Sequence, residues 1–171
     1  LPGMTIPAGQ EGPTAAILHV SDGIFRTLGT PIKAGREFLP TDRRDAPLVL
    51  VVNEAFERKW FPGERARGKT LIAGAGVRAE IVGVVGDIRQ RSMAEEAVPT
   101  MYVHVPQNGR VRMNLVVRTR GEPLAMVPLV REAIHSVDRQ QAIGSVFTLD
   151  DARHDAVARP RLLMVLMAGF G

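Results

Sequence analysis

The sequence predicts an α+β fold, in which a mixed sheet is followed by a strand–helix–strand unit and a closing helix. Three observations predict it. Leu48, Val49, Leu50, Val51 and Val52 form a continuous, largely β-branched run, the mark of a buried strand. That run leads directly into Asn53, a good N-cap for a helix over 53–60. Residues 70–85 place Gly74 and Gly76 between two arms, the second rich in β-branched residues, which reads as a hairpin. Leu124, Val127, Val130, Ala133, Ile134 and Val137 recur at spacings of three and four, one apolar stripe of a helix.

The remaining elements follow in order. Residues 1–13 hold Pro2, Gly3, Pro7, Gly9, Gly12 and Pro13 and read as a flexible arm. Residues 15–20 are a strand candidate. Residues 21–28 make a short helical turn capped by Ser21 or Asp22 and ended by Gly29. Residues 31–36 are a short extended piece, and 40–47 a polar loop. The helix at Asn53 ends at Phe61, Pro62 and Gly63. Residues 87–96 are polar and loop-like. A second part begins near Val98, with strands over 100–105 and 114–119 and a turn at Asn108 and Gly109. Pro123 suits the first turn of the helix that follows, and Pro128 sits near its start or bends it. Residues 144–149 make a final strand, completing a βαβ unit. Such a unit alone has an unpaired sheet edge. Thr148, Asp150 and Asp151 form a variant capping box for a last helix.

Composition sets limits. The 171 residues suffice for one compact domain or two small ones, and 45% hydrophobic content is ordinary for a globular chain. The 22 basic and 18 acidic residues leave +4, spread along the chain. Local basic runs lie at 43–44, 65–69 and 118–120, with no aromatic residues interleaved, so no nucleic-acid partner is expected. Cysteine is absent, which removes disulfides, cysteine zinc sites and thiol nucleophiles. The chain starts at Leu1 without a signal peptide and reads as a fragment. From Leu162 to Gly171 it carries no charge; that is short of the ~20 residues a bilayer requires, and reads as the start of a truncated membrane helix after Arg159 and Arg161.

One motif points to nucleotide chemistry. Gly63, Gly68, Lys69 and Thr70 match the phosphate-loop pattern, whose glycine-rich backbone cradles phosphates between a strand and a helix. Here the order is helix, turn, strand, so the expected reading is a basic turn. No other chemistry stands out. His19, His104, His135 and His154 are scattered. Asp150 and His154 share a helical face but read as an acidic helix start rather than a metal site. Asp42, Asp45, Glu54 and Glu57 have no reason in the sequence to pair as acid and base. No catalytic residue, cofactor site or metal site is assigned.

An ordered series of short motifs resembles MacB/FtsX-type ABC permeases, with the orphan and duplicated branch the most alike. VSDGIFRTLG at 20–29 and PIKAGREF at 31–38 open the series. VVNE at 51–54, WFPGE at 60–64, GKT at 68–70 and IVGVVGD at 81–87 continue it. VPTMYVHVP at 98–106, then Arg131, Ile134, Val137 and Asp138, and the approach to the second membrane helix at 159–161 complete it. Ile24 departs from the tyrosine common there.

The resemblance implies a domain outside the cytoplasm, between the first and second membrane helices of a bacterial inner-membrane protein. It implies a Sabre-like mixed-sheet subdomain over 14–98. It implies the second half of a Porter-like subdomain, a ferredoxin-like split βαβ, over 99–150, and a stalk leading into a membrane helix over 151–171. It implies a mechanical role without catalysis, driven by an ABC ATPase subunit or domain. The further partners are the protein's own membrane helices and a periplasmic adaptor or a second copy. The competing readings are a ligand-binding or sensor module of another membrane protein, and a nucleotide enzyme acting through residues 63–70.

Overall fold

The computed structural model describes residues 15–72, 77–88, 97–109 and 114–152. Described residues up to 116 form one compact unit, and those from 117 onward form another.

The first unit is built on a mixed sheet of six strands: β1 (Ala16–Val20), β2 (Ile32–Gly35), β3 (Val49–Asn53), β4 (Thr70–Ile72), β5 (Arg78–Val85) and β6 (Thr100–His104). The order is β1-β6-β3-β5-β2, with β4 also on β5. β1 runs parallel to β6, β6 antiparallel to β3, and β3 parallel to β5. β2 and β4 both pair antiparallel with β5. The α+β class with a mixed sheet is thus as expected, and so is the strand pairing of the 70–85 hairpin. The turn of that hairpin lies outside the described residues.

β6 corrects one expectation. Residues 100–104 were expected to open the second unit, yet they lie between β1 and β3 in the first. The reason is pairing. A parallel strand needs a long crossover, and β1 finds its partner only after residues 21–99 have been laid down.

Two helices frame the sheet. α1 (Ile24–Leu28) begins at Gly23 with φ 77° and ends at Gly29 with φ 71°. Neither Ser21 nor Asp22 caps it, because a left-handed residue at the cap position suits glycine alone among these three. α2 (Glu54–Trp60) has Asn53 as its N-cap, as expected, with the side chain accepting from Phe56 N. α3 (Val105–Asn108) is a single turn after β6.

The sheet has an apolar cluster on each face. Phe25, Phe38, Val49, Val51, Val85 and Tyr102 make one, against α1 and the loop after β2. Val52, Phe56, Ala66, Leu71, Ile81 and Val84 make the other, beneath α2. Val51 and Val52 alternate between faces, as strand geometry requires. Ile81 and Val84 do not alternate, because the β3–β5 register shifts between Leu50 and Val51. The extra residue is a bulge, so β5 presents Ile81 and Val84 on one face.

The second unit holds α4 (Val127–Val137), entered through a 3-10 turn at Leu124–Met126, with Pro128 in the first turn. Val127, Val130 and Ile134 are half-buried, and Val137 is 89% exposed. The strands expected at 114–119 and 144–149 are not formed. A split βαβ unit leaves a gap between its strands for another strand, and among the described residues none fills it. Thr148 and Asp151 do form the expected capping box: Asp151 N donates to Thr148 Oγ1 at 3.0 Å, and Thr148 N donates to Asp151 Oδ2 at 3.1 Å. The helical turn they start is described only to residue 152. The expected stalk and the truncated membrane helix lie beyond it, outside the described residues, as does the 1–13 arm. Among the described residues no helix is long and apolar enough to cross a membrane.

Candidate functional site

The phosphate-loop pattern folds into a committed turn. α2 precedes it and β4 follows it, so the strand–turn–helix context is reversed. Ala66 N donates to Glu57 Oε1 at 2.8 Å, Gly68 N to Ile81 O at 2.8 Å, and Lys69 N to Ala66 O at 3.1 Å. Lys69 Nζ lies 2.6 Å from Glu64 Oε2. These three backbone donors and the ammonium are therefore engaged within the protein. The helix that would aim its N-terminus at a phosphate is also missing from this position.

Of the carboxylates named from the sequence, Asp42, Glu54 and Glu57 are engaged at separate places in the fold and do not converge. Asp42 receives both Arg36 guanidinium nitrogens, at 2.7 Å and 3.0 Å, and the Leu39 N–H at 2.8 Å. Burial raises its carboxyl, but these donors outweigh burial and hold it below the usual carboxylate range. Glu54 lies 3.6 Å from Lys33, and Glu57 accepts the Ala66 N–H. Asp151 is engaged in its capping box; His154 lies outside the described residues.

Three joints escaped sequence reading. Asp87, expected to end a strand in a loop, caps α2 from the neighbouring strand: Ala55 N donates to Oδ1 and Arg58 Nη2 to Oδ2, both at 2.8 Å. Gln107 spans the first unit, accepting from Val49 N at 3.2 Å and donating to Pro47 O at 3.0 Å and Arg43 O at 3.1 Å. His104 is fully buried and stacks on Phe38 with ring centroids 4.8 Å apart. Only Asp87 carried a usable signal, as an acidic residue just past a buried strand.

A groove of about 290 Å³ lies on the α2 side of the sheet. Ile17 of β1, Met101 and Val103 of β6, Leu50 of β3, and Trp60 of α2 line it. It exists because α2 is short and covers only part of that face. No lining residue titrates. The groove can bury apolar surface, and it offers no acid, base or nucleophile.

A mixed sheet stapled by side-chain joints, with an apolar groove and no converging catalytic groups among the described residues, defines an α+β domain. The chain belongs to the MacB-like periplasmic core domain family, whose model matches residues 3–137. It is similar to the periplasmic region of MacB from Actinobacillus actinomycetemcomitans, at 18% identity and a TM-score of 0.49, over 68% of this chain and 54% of that one. It is also similar to the extracellular domain of the noncanonic ABC-type transporter YknZ from Gram-positive bacteria, at 23% identity and a TM-score of 0.39, over 54% of this chain and 43% of that one. The chain thus spans about half the length of these solved regions. Comparison with curated proteins finds no match.

Proposed function

We propose that this chain is the extracytoplasmic domain of an ABC-type permease of the bacterial inner membrane. It relays ATP-driven motion across the membrane, to export or release a substrate or to regulate a partner, and performs no catalysis itself. The observation that carries this reading is the family match across residues 3–137. The spending of Asp42, Glu57, Asp87 and Gln107 on structural joints supports it.

In this reading the first unit is Sabre-like and the second is half of a Porter-like subdomain, with residues 151–171 leading through a stalk into the membrane. The exposed apolar residues of α4, Leu129 at 58% and Val137 at 89%, suit a half that awaits its counterpart. The partners are an ABC ATPase subunit or domain, the protein's own membrane helices, and a periplasmic adaptor or a second copy.

This chain has no cysteine of its own to compete with introduced labels; any cysteine elsewhere in the full-length protein or its ATPase is replaced first. Single cysteines at exposed Arg44 and Arg131 carry spin labels in the full-length protein, reconstituted in a bilayer with its ATPase. ATP is expected to shift the distance distribution between the labels. Identical distributions with and without ATP would overturn the relay.

A further inference from the structure

We propose that His104 and Asp22 form a proton-operated latch that fastens the start of α1 to the end of β6. His104 is the last residue of β6 and lies opposite Val20, the last residue of β1. The chain leaves β1 through Ser21 and Asp22 and enters α1 at Gly23, whose cap has no side-chain hydrogen bond. This corner therefore lacks the clasp that most helix starts have.

The hydrogen positions on the ring follow from its partners. His104 Nδ1 lies 2.8 Å from the Asp42 carbonyl oxygen, which can only accept, so Nδ1 carries a hydrogen. In the neutral ring Nε2 is then a bare lone pair. It is buried with no hydrogen-bond partner and lies 3.7 Å from Asp22 Oδ1. Two acceptors facing one another stand at such a distance because no hydrogen lies between them. A second proton on the ring turns Nε2 into a donor. A charge-assisted N–H···O bond closes to about 2.8 Å, so the turn at Asp22 needs to move by less than about 1 Å to make it.

Four groups set the surroundings of the ring, and its full burial opposes a charge that only a close partner can offset. Asp22 faces the ring from the turn after β1, and its side chain is half-exposed. Asp42 faces it from the loop after β2, where the imidazole also acts on the Asp42 carboxyl. Arg36, paired with Asp42, opposes the proton. Tyr102, on the same face of β6, remains a neutral phenol throughout the histidine range. Phe38 stacks parallel to the imidazole at 5° between planes and holds its orientation, so the proton changes the bonding at Nε2 and leaves the ring in place. The latch is a property of this fold and stands independently of the transport reading.

The test compares the chain with Asp22→Asn, His104→Gln and the double variant in thermal melts at about pH 8 and about pH 5. At the higher pH the two substitutions are expected to be additive. At the lower pH the unsubstituted chain is expected to gain about 3 °C over Asp22→Asn, a gain that His104→Gln abolishes. Should His104→Gln fail to fold, amide exchange at Thr27 and Gly29, corrected for its intrinsic pH dependence, supplies the second readout. Protection in α1 rises on acidification in the unsubstituted chain and stays level in Asp22→Asn. Parallel pH profiles of the unsubstituted chain and Asp22→Asn, in melts or in exchange, would overturn the latch.

Discussion

Asn53 Oδ1 accepts the Thr100 N–H at 2.9 Å, joining the cap of α2 to the first residue of β6 across 47 positions of sequence. The same oxygen accepts Phe56 N at 2.9 Å, and Asn53 Nδ2 donates to Val98 O at 2.9 Å. One fully buried amide thus satisfies two backbone donors and one acceptor. Asn53→Ala is expected to cost about 3 kcal/mol in denaturant unfolding, since it removes a cap and strands buried groups. Asn53→Asp keeps both acceptances but sets an oxygen against Val98 O, so its loss should be smaller. Equal losses for the two would show that the cap and the clasp do not act through this oxygen.

The Asp42–Arg36 pair predicts an acid-sensitive contribution. The Asp42 carboxyl titrates below its unfolded counterpart, which ionises near pH ~4. The pair's stabilisation is therefore whole above that value and is lost as pH falls further. Asp42→Asn is expected to cost about 2 kcal/mol at neutral pH and to flatten the acid limb of the stability curve. Parallel acid limbs would place the acid sensitivity elsewhere.

Tyr102 is the chain's one tyrosine, so phenolate absorbance reads it alone. Its hydroxyl is buried with no hydrogen-bond partner. Burial, with the Asp87 carboxylate adding to it, pushes the phenol up to about 12. An unfolded tyrosine ionises near ~10, so this stabilisation is whole below pH ~10 and is lost as pH rises towards 12. Tyr102→Phe keeps the edge-on contact with Phe25 and removes an orphaned hydroxyl. It is expected to be as stable as the parent or more so by about 1 kcal/mol, with a flatter alkaline limb. A clear loss of stability would mean that the hydroxyl has a partner.

Gly83 sits at the β5 bulge opposite Gly35 of β2. A Cβ at Gly83 would strike the Arg36 carbonyl, and one at Gly35, where φ is 71°, would strike the Val82 carbonyl. Both obstacles are backbone, which cannot swing aside. Gly83→Ala is expected to cost more than about 2 kcal/mol and to lower the melting temperature by at least ~5 °C. Gly63→Ala meets nothing within 4 Å and carries only the strain of its φ of 78°. Its effect should be the milder, and the reverse ranking would refute the close approach of β2 to β5.

Millimolar ATP with magnesium is expected to leave the melting curve unchanged, in the chain and in Lys69→Ala alike. The Lys69 ammonium is held by Glu64, and the N–H groups of Glu64, Ala66, Gly68 and Lys69 already have acceptors. A nucleotide-dependent shift that Lys69→Ala removes would restore the phosphate-loop reading.

What could be read in the sequence was local. β3 and α2 were legible because a buried strand and a capped helix each carry their signal within a few residues. Asn53 was legible as a cap, since Phe56 N is three positions away, but not as the clasp on β6. The bulge had a trace, an isolated glycine within a strand run, which a hairpin reading absorbed without noticing that it rephases Ile81 and Val84. β6 was legible as a strand and misassigned to a unit, because its neighbours β1 and β3 are chosen by tertiary pairing. The strands at 114–119 and 144–149 have strand-like composition, but composition cannot supply a partner. The groove left no sequence signal, since it depends on how little of the sheet α2 covers.

The parallel pairing of β1 with β6 imposes an order on biosynthesis. β1 is the first strand of the described sheet to be made, yet Ala16 has its register partner at Thr100. Until that residue has emerged, β1 has no ladder to join. The nascent chain therefore passes through a stage in which β3, α2, β4 and β5 can assemble while an unpaired apolar strand trails behind them. Holding that strand soluble falls to whatever meets the emerging chain.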